Sequence, residues 1–74
     1  MDIVPETIRL IDAIRPLLAG KPAPVQGAAL ADLLATWLAG HRADEKAQTD
    51  WLRAVLLEEH IATVRELIPE NEPT

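Results

Sequence analysis

His41 and His60, with the run Glu58-Glu59-His60, are the side chains here best suited to holding a metal ion or moving a proton. A di-metal carboxylate site built on helices takes a Glu-x-x-His pair, because residues three apart share a helix face. The residue three before His60 is Leu57, so that pair is missing. Glu58, Glu59 and His60 are immediate neighbours, and on a helix neighbours diverge instead of converging on one ion. The zinc-protease spacing is also absent. His41 follows Gly40 at an expected helix end, where an imidazole suits the negative pole of the dipole. His60 falls in an apolar arc and is expected to be a partly buried, hydrogen-bonded residue. Neither a metal nor a cofactor is expected.

The common forms of acyl-transfer chemistry are excluded on residue types alone. The chain has no Cys and no Ser, which removes thiol nucleophiles, disulfides and the common acyl-transfer triads together. Paired carboxylates do acid–base work only in a pocket that perturbs them, and a chain of 74 residues has little material to enclose one. Glu58, Glu59 and Glu66 read as a solvated acidic face or the rim of a surface for another protein. The glycines at 20, 27 and 40 are isolated, so no phosphate-binding loop is present. No catalytic activity is expected.

Three short helices also suit a helix-turn-helix DNA reader, the alternative reading. Its recognition helix would open Asp44-Glu45-Lys46-Ala47-Gln48-Thr49-Asp50, with three acids and one lysine where base edges should be met. Arg42, Lys46 and Arg53 are too sparse for a phosphate strip, and the formal net charge is −5. No nucleic-acid partner is expected. Trp37 and Trp51 are the only aromatic residues. Trp37 lies in a leucine stripe and reads as core, whereas Trp51 lies off the main face of its helix and reads as an interface anchor.

The elements that must position these residues follow from proline, glycine and period. At 49% apolar and 26% charged, the composition is that of a soluble, folded chain. The opening Met1-Asp2-Ile3-Val4-Pro5-Glu6 lacks the basic n-region of a secretory signal. No apolar stretch reaches the ~20 residues of a membrane span, so a cytoplasmic location without membrane association is expected. Pro5 predicts a first-turn proline, and Val4, Ile8, Leu10, Ile11, Ile14, Leu17 and Leu18 fill half of a helical wheel. Pro16 falls on the polar half, where a bend or break is expected. Gly20 is expected to end that helix in the left-handed conformation. Leu38-Ala39-Gly40-His41 echoes Leu18-Ala19-Gly20-Lys21, which predicts the same device at the end of the second helix.

Helix two carries Leu30, Leu33, Leu34, Trp37 and Leu38 on one side and Ala28, Ala31, Ala35 and Ala39 on the other. Apolar on both sides, it is expected to have two neighbours. Asp44 is the expected N-cap of helix three, with a second possible start at Thr49, and Pro69 the expected stop. The fold expected is all-α, a small three-helix bundle with helices at about 5–19, 24–39 and 44–68 and a polar tail from 69. Its core would be Ile11, Ile14, Leu18, Leu30, Leu34, Trp37, Leu38, Leu57, Ile61 and Val64. Helix three is longer than its neighbours, so Trp51, Leu52, Val55, Leu67 and Ile68, with Ala28, Ala31 and Ala35, are left for an interface. The sequence therefore predicts a small module that self-associates as a homodimer.

Overall fold

The computed structural model describes residues 2–73 and contains three helices: α1 (Val4–Leu18), α2 (Ala23–Ala39) and α3 (Lys46–Asn71). The protein is all-α, as its periodicity and its lack of alternating β-branched runs require. The described residues fall into two compact units that divide within α2, one ending at Ala31 and the other starting at Asp32.

In the first unit, the Asp2 carboxylate accepts the Val4 N–H at 3.0 Å, meeting one of the donors a helix start leaves over. Pro5 occupies the first turn. Pro16 neither breaks nor ends α1, which runs on through it to Leu18. The carbonyl that loses its partner is that of Asp12, an exposed residue open to solvent. Gly20 then turns the chain at φ +76°, a conformation that costs an L side chain roughly 1–2 kcal/mol. Gln26 reaches back from α2, and its Nε2 donates to the Leu18 carbonyl at 2.8 Å. Ile14, Leu18 and Gln26 are the half-covered residues of this unit.

In the second unit, α3 starts two residues later than expected and runs three residues further. Asp44 is not its N-cap. Glu45 takes that place with extended backbone (φ −109°, ψ 149°), and no side chain caps it. Thr49 instead ties the preceding turn: its hydroxyl oxygen accepts the Ala43 N–H at 3.0 Å, and its O–H faces the Glu45 carbonyl at 3.0 Å. Thr49 therefore fixes the entrance to one continuous helix and does not open a second one. Pro69 also lies inside α3. The carbonyl it strands belongs to exposed Arg65, and Asn71 Nδ2 supplies the Leu67 carbonyl at 2.9 Å in the last turn. The tail therefore begins past Asn71, not at 69.

No described residue is buried in either unit. Of the expected core, Ile14, Leu18, Leu34, Leu38, Leu57 and Ile61 are half-covered. Ile11, Leu30, Trp37 and Val64 are exposed, so the single chain does not close the core its sequence lays out. The reason is geometric. Two helices side by side shield one stripe on each other and leave both flanks to water, so enclosure needs a further layer. Among the described residues, no helix is long and apolar enough to cross a membrane.

Candidate functional site

The densest constellation of polar and aromatic groups lies in the second unit, at the end of α2. Gly40 does not repeat the Gly20 device: Gly20 is the only described glycine with positive φ. Without a left-handed turn, the last carbonyls of α2 need other donors. Backbone supplies some, with Gly40 N–H at 3.2 Å from the Thr36 and Trp37 carbonyls and His41 N–H at 3.0 Å from that of Leu38. His41 adds its ring, with Nδ1 at 2.8 Å from the Trp37 carbonyl. Because a carbonyl only accepts, Nδ1 carries the proton. His41 is thus a capping histidine, the role its position after Gly40 suggests.

Arg53 completes the closure from α3. Its Nε lies 3.1 Å from the Leu38 carbonyl and 3.0 Å from that of His41, and its Nη2 lies 2.9 Å from that of Ala39. A guanidinium is suited to this because its donors sit in a rigid planar fork. Sequence reasoning weighed Arg53 only as a phosphate ligand and missed this role. No local pattern announces it, since the carbonyls it meets lie 12 to 15 residues away.

Trp37 is the hub of the same region. The His41 ring stands edge-on to it at 4.8 Å and 67°, and the His60 ring lies tilted over it at 5.2 Å and 37°. The two histidines that the sequence separates by 19 positions therefore share one indole. His60 is exposed, contrary to its expected partial burial, and meets Trp37 ring to ring. Among the described residues, no three His, Asp or Glu side chains converge as a metal site. Glu58, Glu59 and Glu66 are exposed.

The residues expected at an interface divide into two kinds. Trp51 is 67% exposed, while Leu52 and Val55 are half-covered. Trp51 lies about 160° round α3 from Arg53, so it points away from the Trp37 side. Ala28, Ala31 and Ala35 are exposed, as are Leu67 and Ile68, which with Val64 and Asn71 line an open groove of about 210 Å³. A larger open groove, about 620 Å³, lies on α1 between Ile3, Glu6, Thr7, Arg9, Leu10 and Ala13.

The two tryptophans therefore predict different losses. Truncating a fully buried Trp costs on the order of 3–5 kcal/mol. Trp37 keeps 43% of its surface in water, so Trp37→Ala is expected to cost about half of that, roughly 1.5–2.5 kcal/mol. Trp51→Ala is expected to stay within about 0.5 kcal/mol of the parent, as surface substitutions do. Urea denaturation of both variants measures this, and equal losses would contradict the assignment.

No protein-family model, no curated protein and no solved structure matches the chain.

Proposed function

We propose that this protein is a small helical interaction module that self-associates as a homodimer and has no catalytic activity of its own, working in the cytoplasm. The observation that carries the reading is that no described residue is buried, although 49% of the chain is apolar. Fourteen large apolar side chains, spread over all three helices and the turn before α1, are 40% exposed or more. Single exposed apolar residues are ordinary on a monomer, but a chain in which no described residue is buried has its apolar surface still to cover.

Area gives the same argument a size. The chain leaves 6535 Å² accessible. A folded monomer of 8.1 kDa exposes about 4,500 Å², so about 2,000 Å² per chain is in excess. A standard interface takes about 800 Å² from each partner, and obligate homodimers take more. One symmetric partner is enough to absorb the excess. Closed two-fold dimers are the commonest oligomers, and oligomerisation is one of the ways small chains complete a core.

The DNA-reading alternative loses support from Arg53, whose guanidinium is committed to carbonyls of α2 and its turn. Lys46 is paired with Asp50 at 2.6 Å. Arg53 is therefore not poised as a phosphate ligand, and the exposed lysine of the same helix carries a carboxylate partner. The molar mass of the chain in solution tests the proposal: about 16 kDa is expected, twice the 8.1 kDa of one chain.

A further inference from the structure

We propose that the second copy docks on the outer stripe of α1, with the two α1 helices antiparallel and Leu10 on the two-fold axis. This rests on the self-association reading above and names its surface. The apolar half of α1 is wider than its cover. Ile14 and Leu18 in its middle are half-covered, whereas Ile3, Leu10 and Leu17 on one flank are 68%, 61% and 71% exposed. Leu17 and Ile3 are the two most exposed large apolar residues among the described ones, ahead of Trp51 at 67%.

Their spacing is what a helix partner requires. Ile3, Leu10 and Leu17 stand seven residues apart, and each step of seven drifts only about 20° round the helix. The three side chains therefore form an almost straight seam, of the kind that coiled-coil helices present to one another. Ile3 belongs to it because its backbone is already helical (φ −85°, ψ −10°) and its carbonyl accepts the Thr7 N–H at 2.9 Å. Small residues Thr7 and Ala13 flank Leu10 and open the groove of about 620 Å³ beside it. That is a hole for a leucine knob.

The sizes match in either direction, and charge favours the antiparallel one. Run antiparallel about Leu10, Ile3 of one copy meets Leu17 of the other, Thr7 meets Ala13, and Leu10 meets itself. Large apolar groups then fall opposite large ones, and small opposite small. A parallel pairing would set Glu6 against Glu6 and both positive helix ends side by side. Antiparallel pairing moves the two Glu6 positions about 12 Å apart along the axis. The competing surface at Trp51 lacks such a seam, since its neighbours Leu52 and Val55 are already half-covered.

The absence of cysteine makes a clean test available. In the full chain, Leu10→Cys places two thiols at the axis, within the Cα separation a disulfide bridges. Mild oxidation at a concentration where the parent weighs about 16 kDa is expected to give a covalent dimer in high yield. Leu17→Cys is expected to give at least tenfold less, because antiparallel pairing holds those positions about 21 Å apart. Trp51→Cys is expected to behave like Leu17→Cys. Circular dichroism on each variant checks that helicity is kept. Efficient cross-linking through position 17 or 51, or none through 10, overturns the α1 seam while leaving self-association standing. A parent mass near 8 kDa overturns both.

Discussion

Arg53→Ala is expected to lower the unfolding free energy by about 1.5–3 kcal/mol, the largest loss of any single side chain outside the apolar stripes. Three carbonyls at the end of α2 depend on that guanidinium, at 2.9 to 3.1 Å. Hydrogen bonds to a charged donor contribute about 1.5–3 kcal/mol each where water is excluded. Here the end of α2 is partly open, and water takes over some of the lost bonds, so the three together fall in the range of one buried bond. Arg53→Lys is expected to recover less than half, because an ammonium on a flexible stem cannot span the three oxygens. The equivalent contact in the first unit is a single neutral bond from Gln26 to the Leu18 carbonyl. Gln26→Ala is accordingly expected to cost only about 0.5–1.5 kcal/mol. Urea midpoints for the three variants measure the order. A loss for Arg53→Ala no larger than that for Gln26→Ala would contradict the capping role.

Thermal stability is expected to depend steeply on protein concentration. If folding of the core is completed by a second copy, unfolding is also dissociation, and mass action enters the melting temperature. A tenfold dilution then removes about 1.4 kcal/mol from the dimer. For two 74-residue chains unfolding together, that is about 4–5 °C per tenfold. Melting curves at about 2 and 200 µM should thus differ by about 8–10 °C. A chain stable by itself would melt at one temperature throughout. The half-covered state of Ile14, Leu18, Leu34, Leu38, Leu57 and Ile61 is the physical reason to expect the former.

How much of this was legible in the sequence depended on whether its cause was local. The three helices were legible, because an apolar period and proline positions act within a few residues. Gly20 was legible as a left-handed stop. Gly40, in an all but identical setting, was not, because its terminus is closed by Arg53 from the next helix. A donor 15 positions away leaves no trace in the residues around the glycine. Asp44 had the right chemistry for an N-cap and lost the place to Glu45, because Thr49 holds Ala43 in the turn. Pro69 had the right chemistry for a stop, yet the carbonyl it strands is on an exposed residue, so α3 continues. At the candidate site, the capping role of His41 followed from its neighbour Gly40. The shared indole of His41 and His60 did not, since it depends on α3 lying against the last turns of α2.

Self-association underlies both the proposed function and the α1 seam, and the absolute molar mass of the unmodified chain tests it most directly. Light scattering coupled to size exclusion, at about 100 µM loaded, reads it without reference to shape. Homodimerisation predicts about 16 kDa, twice the single-chain 8.1 kDa, falling toward the single-chain value as the load is diluted. A constant mass near 8 kDa across that range would contradict it.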